Sequence, residues 1–394
     1  MTKKINLIFM GGFTYPHGMA ATKRIQNIIN ALKEFPDVET RVILQRQSSQ
    51  HNILSGVYEN TPYETVMGDL FRGKLFVSLP ILHSKTKSAL KRTYKANQEN
   101  VIYFYGPLFI DSVIPLQYAE KIGYKIIFDV TEDFGQAKGV SYSFFHYLRI
   151  RLADMFSAQI KRLASGIVVI SSYLEDQCRE LTQGRIPLHY MSVSVDMDLF
   201  PEKPDTEKPT TTFLYAGSFG KKDGILILLD AFDKLAERHD DISLALTGRG
   251  DAQAMKEFFA RVEKSSYKDR INYKGYLNDE DYNALLNHID IPCMTRVDLA
   301  FANAGFPFKL GEFLATGKPV ISSRVSDVER FLVDRKNAML IQPDSSEEVI
   351  KAAEYLLTDP DTARAIGKKG REVASLSFNN KQQGKDLLAF IQSL

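Results

Sequence analysis

The fold class follows from the segment INLIFMGGFTYPHGMAATKRIQNIINALKEF, residues 5–35. Its first six residues, Ile5 to Met10, form a short apolar run that is typical of a buried strand. Residues Gly11 to Gly18 are rich in turn formers and predict a loop. Thr22 to Phe35 carry apolar side chains on one helical face. A strand, a glycine loop and a helix in this order predict the start of a doubly wound α/β domain.

The same alternation continues along the chain and predicts parallel sheets with helices on both faces. In the first half we expect further strands at Thr40 to Leu44, Val101 to Tyr105, Lys125 to Asp129 and Gly166 to Ser171. In the second half we expect strands at Thr212 to Ala216, Ser243 to Thr247, Ile271 to Lys274, Ile289 to Met294, Pro319 to Ser322 and Ala338 to Ile341. Two doubly wound units follow from this pattern.

Length and composition agree with two globular domains. The chain has 394 residues, of which 44% are hydrophobic and 25% charged, which excludes a disordered or fibrous protein. Residues 201–211 hold three prolines and five charged side chains without an apolar one, which is typical of a linker. We therefore predict a domain at 1–200, a second at 212–375, and a C-terminal helix at 376–394 that packs back on the first domain.

Charge and cysteine content exclude several kinds of partner and cofactor. Fifty basic and 48 acidic residues give a net charge of +2, which argues against a nucleic-acid partner. Two cysteines are too few for a disulfide framework or a zinc cluster. No signal peptide opens the sequence and no apolar run is long enough for a membrane span. We expect a cytoplasmic protein without a metal.

Loops that follow strands carry the candidate chemistry, because ligands of doubly wound folds bind at the carboxyl ends of strands. The loop Gly11 to Thr22 brings small residues, including Gly18, to a helix start where backbone N–H groups could bind an anion or a sugar. An ordinary connection is the alternative. The loop Tyr215 to Gly224 contains Gly217, Ser218, Lys221 and Lys222 and suits a phosphate. A glycine turn with solvated lysines is the alternative.

A third loop, Ala302 to Glu312, leads into the helix that ends near Thr316. Lys309 lies in the first turn of that helix and Glu312 follows three residues later on nearly the same face. A cation beside a carboxylate at a helix start could hold a diphosphate and the vicinal hydroxyls of a sugar. An exposed ion pair without function is the alternative.

Two motifs imitate other sites. Thr247 to Gly250 resembles a dinucleotide fingerprint, but Gln253 stands where its third glycine belongs, so nicotinamide binding is not expected. Asp196-Met197-Asp198 spells the Asp-x-Asp of metal-dependent sugar transferases. It lies beside the linker, away from the phosphate loops, and a turn or helix-cap role is expected instead.

The stretch Arg296 to Ser322 resembles the donor-site segment of the family 4 retaining glycosyltransferases of GT-B fold. The resemblance extends over nearly the whole chain: Pro16 to Arg24, Val195 to Phe200, Tyr215 to Gly224, Gly248 to Gly250, and Gly275 resemble further family segments. It implies two Rossmann-like domains that face each other across a cleft, with the acceptor in the first and the nucleotide sugar in the second.

The resemblance also implies roles for single residues. Glu312 would bind the nucleotide ribose, Gly18 would face the donor from the opposite domain, and Lys309 would approach the diphosphate and sugar. Further donor contacts would come from Gly217, Ser218, Arg249, Gly275, Tyr276, Gly305, Phe306, Pro307 and Phe308. Two departures from the family pattern stand out. Ala304 replaces its first glutamate, and Ser218 and Asp223 replace the arginine and lysine of its phosphate loop.

Cleavage of a sugar–phosphate bond places negative charge on the leaving diphosphate, which cations and helix-end amides must stabilise if no metal does so. We predict that Lys222, Arg296 and Lys309 serve this purpose. Glu132, in a strand-end cluster with Asp129 and Asp133, is the candidate for orienting an acceptor hydroxyl or the donor sugar, although a solvated acidic turn is an alternative. The resemblance implies retention of configuration without a protein nucleophile.

Two basic segments, Lys85 to Lys95 and Phe144 to Arg151, could dock on an anionic membrane surface, or could simply be solvated. The predicted function is transfer of a sugar from a nucleotide-diphosphate sugar to a glycan or lipid-linked acceptor in bacterial surface polysaccharide synthesis, at the inner face of the membrane. No cofactor beyond this co-substrate is expected. A nucleotide-sugar epimerase and a non-catalytic partner subunit are the alternatives.

Overall fold

The fold is described from a computed structural model of the chain, which describes residues 3–47, 53–68, 75–133, 158–202, 208–220, 223–299 and 303–394. The chain divides into two units. The first comprises Met1–Ser194 together with Asn380–Leu394, and the second comprises Val195–Asn379. The sequence placed these limits at 200 and 376.

The first unit is built on an eight-stranded sheet with the order β3-β4-β2-β1-β5-β6-β7-β8. All neighbours pair in parallel except β3 and β4. Its strands are β1 Ile5–Gly11, β2 Val38–Arg46, β3 Ser55–Tyr58, β4 Thr61–Met67, β5 Glu99–Tyr105, β6 Lys125–Val130, β7 Gly166–Val169 and β8 Leu188–Tyr190. Its helices are α1 Ala20–Leu32, α2 Leu75–Thr93, α3 Ile110–Lys121, α4 Ile160–Leu163, α5 Ser172–Thr182 and, at the C-terminus, α13 Asn380–Ser393.

The second unit contains a six-stranded parallel sheet with the order β11-β10-β9-β12-β13-β14. Its strands are β9 Thr211–Gly217, β10 Ile242–Gly248, β11 Ile271–Tyr273, β12 Ile291–Met294, β13 Ile321–Ser323 and β14 Met339–Ile341. Its helices are α6 Ile225–Ala236, α7 Ala252–Glu263, α8 Asp279–His288, α9 Phe308–Ala315, α10 Val328–Phe331, α11 Ser346–Thr358 and α12 Pro360–Val373. The α/β class and the doubly wound arrangement predicted from sequence are confirmed.

Each sheet is buried on both faces, because helices cover both sides of parallel strands. The strands β1 and β5 are therefore almost wholly apolar and lie in the first core together with Leu387 and Ile391 of α13. The helix α13 packs so closely on α1 that a Cβ atom on Gly384 would lie 2.6 Å from the Cβ of Ala31. The last helix thus belongs to the first unit.

The limit of the first unit falls at Ser194 because side chains of that unit hold the preceding backbone. Arg24 donates to the carbonyl of Ser192 at 2.6 Å, Gln383 to that of Val193 at 3.0 Å, and Asn27 to that of Ser194 at 2.6 Å. The next backbone N–H, on Val195, donates instead to the carbonyl of Phe378 in the second unit.

Each sheet has one topological switch point, where the chain reverses the direction in which it adds strands. In the first unit it lies between β1 and β5, and in the second between β9 and β12. Ligands of doubly wound folds bind at the carboxyl ends of these strand pairs. The loops after β1, β9 and β12 are therefore the ones to consider.

Candidate functional site

Glycines allow the strand ends of the second unit to approach one another. Gly248, after β10, has a φ of +131°, and a Cβ atom there would lie 1.8 Å from the carbonyl oxygen of Gly217. Gly224 has a φ of +61°, and its Cβ would lie 1.8 Å from the carbonyl oxygen of Thr295. No side chain fits either position. The phosphate loop predicted after β9 is therefore packed directly against the ends of β10 and β12.

A polar network occupies the loop after β9. The Ser218 hydroxyl donates to the carboxylate of Asp223, and the Tyr215 hydroxyl donates to the Ser218 carbonyl. Arg296, which follows β12, places its Nε atom 3.9 Å from an Asp223 oxygen. Burial lowers the pKa of Arg296, and Asp223 partly offsets this effect. For Tyr215, burial has the opposite effect and raises the pKa of the hydroxyl well above its ordinary value, and the Asp223 charge adds to the rise.

This network connects Ser218 and Asp223, the two residues that depart from the family pattern, with the predicted catalytic cation Arg296. Ser218 and Asp223 stand at the expected arginine and lysine positions, and Asp223 faces an arginine that enters from the neighbouring strand. A cation at the switch point is thus supplied by β12. Lys222, like Lys221, lies outside the described residues.

The first turn of α9 carries the other predicted pair. The Lys309 ammonium lies 3.0 Å from the Glu312 carboxylate and 3.8 Å from the ring centroid of Tyr282 on α8. The Glu312 side chain is 15% exposed and that of Lys309 is 36% exposed. Burial raises the pKa of the Tyr282 hydroxyl well above its ordinary value, and the nearby Glu312 charge adds to this shift. The pair is therefore partly buried against an aromatic ring, which a simple exposed ion pair would not be.

Sequence reasoning missed Tyr282, which lies on a helix without any motif. The cation–π contact with Lys309 restricts where the ammonium can point.

A second such contact lies at the ends of β10 and β11, where the Arg249 guanidinium is 4.7 Å from the centroid of Tyr276. Gly275 precedes that tyrosine with a φ of +71° and accepts hydrogen bonds from Gly248 and Thr247.

The loop that enters α9 is largely structural in its side chains. Phe306 is 1% exposed and packs in an aromatic cluster with Phe331 and Phe378, at ring distances of 5.7 Å from each. Pro307 is also buried, whereas Gly305 and Phe308 are half-buried. The side chain of Phe306 is therefore part of the core, so only its backbone remains a candidate donor contact. Ala304 is buried as well.

The loop after β1 is held by side chains at four successive carbonyls. Thr22 donates to Thr14, Gln47 to Tyr15, Gln26 to Pro16, and Thr14 to His17, at distances between 2.7 and 2.9 Å. The amide of Gln47 also accepts from the Tyr15 N–H at 2.7 Å.

Gly18 closes this loop. A Cβ atom on Gly18 would lie 2.1 Å from the Thr22 hydroxyl oxygen and 2.2 Å from that of Thr14. The loop is thus fixed by the fold, and Gly18 is exposed two residues before the start of α1.

The predicted acidic cluster after β6 does not act as a unit. Asp129 is fully buried and forms a two-pronged ion pair with the equally buried Arg24, at 2.8 and 3.0 Å. It cannot meet a substrate, and its inclusion in the cluster was wrong. Glu132 is exposed, and Asp133 accepts a hydrogen bond from the Tyr173 hydroxyl at 3.1 Å. Asp129 lies within β6, where the side chains are buried, whereas Glu132 follows the end of the strand and is exposed.

The structure also bears on the Asp-x-Asp motif and on the two basic segments. Asp196 caps a short 3₁₀ helix, Met197–Leu199, by accepting from the Asp198 N–H, so the predicted cap role is confirmed. Of the two basic segments, Lys85 to Lys95 covers the second half of α2 and the residues after it, while Phe144 to Arg151 lies outside the described residues. Within the part of the chain that the structure describes, no helix has the length and hydropathy needed to cross a membrane.

Comparisons with known proteins agree with this arrangement. Residues 196–373, nearly the whole second unit, match the family model of glycosyl transferases group 1. The structure resembles sucrose-phosphate synthase from Thermosynechococcus elongatus, with a TM-score of 0.77 and 18% identity, over 99% of this chain and 100% of the other. It also resembles HepE from Anabaena in complex with UDP, with a TM-score of 0.72 and 16% identity, over 99% and 100% of the chains. The fold is GT-B.

Curated relatives are distant. The putative colanic acid biosynthesis glycosyltransferase WcaL of Escherichia coli is 20% identical over 66% of this chain and 66% of its own length. The phosphatidyl-myo-inositol mannosyltransferase of Mycobacterium leprae is 26% identical over 37% of each chain. The matches thus span less than two thirds of these relatives. Both relatives, like the family model that matches the second unit, carry the names of glycosyltransferases.

Proposed function

We propose that the chain is a metal-independent, retaining hexosyltransferase of glycosyltransferase family 4. It transfers a sugar from a nucleotide-diphosphate sugar to a glycan or lipid-linked acceptor. The observation that carries this proposal is the partly buried Lys309–Glu312 pair in the first turn of α9. A carboxylate that accepts from two vicinal hydroxyls and an ammonium that meets a phosphate suit a nucleoside diphosphate.

Arg296 supplies the second cation of the proposed site. The leaving diphosphate gains negative charge during bond cleavage, and fixed cations in a partly buried site stabilise that charge without reorganising. Asp223, which accepts from the Ser218 hydroxyl, lies beside Arg296 and orients it toward the loop after β9. An arginine remains charged at neutral pH even where burial lowers its pKa. We propose that Arg296 and Lys309, together with Lys222, stabilise the diphosphate as it leaves.

The names of related proteins support the substrate classes. Structures of HepE contain UDP and UDP-glucose, and the curated relatives include a mannosyltransferase that acts on phosphatidyl-myo-inositol and a transferase of colanic acid biosynthesis. By analogy, we propose a nucleotide-sugar donor for this chain and a role in bacterial surface polysaccharide synthesis. Glu132, exposed after β6, is proposed to orient the acceptor hydroxyl.

The outer surface of α2 and α3 supports docking on an anionic membrane. Lys85 and Lys91 are exposed on α2, and Ile81 on α2 and Ile114 on α3 are each 42% exposed. Basic side chains beside exposed apolar ones suit the headgroup region of a bilayer. We propose that the protein works in the cytoplasm at the inner face of the membrane, where it meets a lipid-linked acceptor.

The test is mass spectrometry of products formed from a panel of nucleotide sugars, with and without a lipid extract of the source organism, and each reaction is run both without and with EDTA. The proposal expects a glycosylated lipid that appears only when the extract is present. Conversion of the donor to a different nucleotide sugar without extract would show an epimerase instead. Donor binding without any product, in every combination, would show a non-catalytic partner subunit. Loss of product on chelation would contradict metal independence.

A further inference from the structure

A cavity of about 250 Å³ opens at the amino edge of the first unit's sheet. Its lining includes Asn6 of β1, Glu39 and Arg41 of β2, Pro62 of β4, and Arg92 and Lys95 at the end of α2. The carboxyl-edge loops discussed above lie at the opposite ends of the same strands. The cavity is therefore separate from the proposed substrate site of this unit.

The cavity exists because two neighbouring strands separate at their starts. The ladder between β2 and β4 begins only at Val42 and Tyr63. The preceding residue of β4 is Pro62, which pairs with Val57 of β3 and has no N–H group to donate to β2. Arg41 therefore pairs with Ile8 of β1 on one side but has no partner strand on the other. The gap between β2 and β4 therefore lies next to Pro62, before the first paired residues of the two strands.

The cavity carries an excess of positive charge. Three cations line it, against the single carboxylate of Glu39. Lys95 pairs with Glu39, and Arg92 donates two bonds to Glu64 at 2.6 and 2.8 Å. Arg41 forms no hydrogen bond or ion pair with any residue that the structure describes. Its guanidinium is thus available to a ligand.

The negative end of α2 does not cancel this charge. A helix C-terminus presents unpaired carbonyls that would repel an anion. Here the Thr93 carbonyl accepts from the buried amide of Asn6 at 2.8 Å, and the Leu90 carbonyl accepts from the Tyr124 hydroxyl at 3.0 Å. Hydrogen bonding by Lys95 lowers the pKa of Glu39, so the Glu39 carboxylate stays ionised beside Lys95. The remaining unmatched charge is that of Arg41.

We propose that this cavity is a phosphate-binding site in which Arg41 is the principal ligand. A guanidinium forms two parallel hydrogen bonds to phosphate, and Arg41 is the lining cation that no described carboxylate pairs, whereas Arg92 pairs with Glu64 and Lys95 with Glu39. Because Arg92 and Lys95 also continue the basic surface of α2, the phosphate group comes either from a small soluble anion or from a lipid headgroup. The site does not depend on the proposed transferase activity.

The experiment is a titration of the full-length protein with inorganic phosphate. Calorimetry measures the binding, and hydrogen exchange of the β2 segment locates it. We expect saturable binding and protection of Val38–Arg46. Arg41→Gln, which keeps the shape but removes the charge, should weaken binding by about tenfold or more. Arg185→Gln is the matched control, since Arg185 is an exposed arginine of the same unit that forms no ion pair with any described residue, and it should leave binding unchanged.

Binding could also occur at the proposed donor site, so Lys309→Gln separates the two. The proposal expects protection of the β2 segment to survive in Lys309→Gln and to disappear in Arg41→Gln. Phosphate binding that Lys309→Gln abolishes, or that Arg41→Gln leaves intact, would overturn it. Co-sedimentation with vesicles of phosphatidic acid in phosphatidylcholine then identifies the source. A loss of sedimentation in Arg41→Gln assigns a lipid headgroup, and equal sedimentation of both proteins, with phosphate binding still lost, assigns a soluble anion.

Discussion

Replacement of Asp129 by asparagine should destabilise the first unit and distinguish a structural carboxylate from one that meets substrate. Asp129 and Arg24 are both fully buried, and Arg24 also donates to the carbonyls of Met191 and Ser192. Asparagine leaves the guanidinium buried without a counter-charge. Removal of one partner of such a pair costs about 3–5 kcal/mol. Because asparagine can still accept one hydrogen bond, we expect the lower end of this range.

For a unit of this size, each kcal/mol lowers the melting temperature by about 2–4 °C, so a loss of about 3 kcal/mol corresponds to about 6–12 °C. The assay is urea unfolding followed by hydrogen exchange of peptides from β1, β5 and β6, which reports on the first unit alone. Asp133→Asn is the matched control. Asp133 lies four residues later and accepts a hydrogen bond from the Tyr173 hydroxyl, and its replacement should cost about 1 kcal/mol.

The double replacement Arg24→Met with Asp129→Leu should recover most of the loss, because it removes both charges and keeps apolar volume. If the free energy of unfolding of Asp129→Asn lies within about 0.5 kcal/mol of that of the unaltered protein, the buried ion pair is not structural. A loss of transfer activity at unchanged stability would return Asp129 to the substrate site.

Three further predictions concern residues buried elsewhere. Phe306→Ala should cost about 3–5 kcal/mol in urea unfolding of the second unit, since the ring fills an aromatic cluster, and unchanged stability would disprove this. Burial raises the pKa of Cys178 to about 12 and that of Cys293 still further, so neither thiol should react with a disulfide reagent until urea is added. The half-buried His189 ring stacks on Phe390, and loss of solvent around it lowers the pKa of His189 below 6.5, so the folded state resists protonation and stability falls as the pH drops below about 6.5. His189→Gln should therefore lose less stability than the unaltered protein between about pH 7 and about pH 5, and an equal loss in both would count against this assignment.

Apolar periodicity predicted most of the fold. Every strand expected from an apolar run overlaps an observed strand, because strands buried on both faces must be apolar throughout. The hairpin β3–β4 was missed, since it lies at the sheet edge and contains Pro62. The signal that could have found it is the two-residue turn Glu59-Asn60, in which both residues have positive φ.

The candidate site was only partly accessible from sequence. Spacing along α9 was enough to predict that Lys309 and Glu312 lie together. The contact of Arg296 with Asp223 joins residues from two loops, and the Lys309–Tyr282 contact joins two helices, so no local pattern could reveal either. Asp129 was misplaced for a similar reason, because its partner Arg24 lies on helix α1, far from Asp129 along the chain.

Calorimetry of a nucleoside diphosphate with the full-length protein in EDTA tests the proposed donor site most directly. The account predicts binding that chelation does not change. Glu312→Ala should weaken it by about 1.5–3 kcal/mol, or roughly 10- to 150-fold, because a charged acceptor for the ribose is lost. Absence of binding in EDTA, or full affinity in Glu312→Ala, would contradict the account.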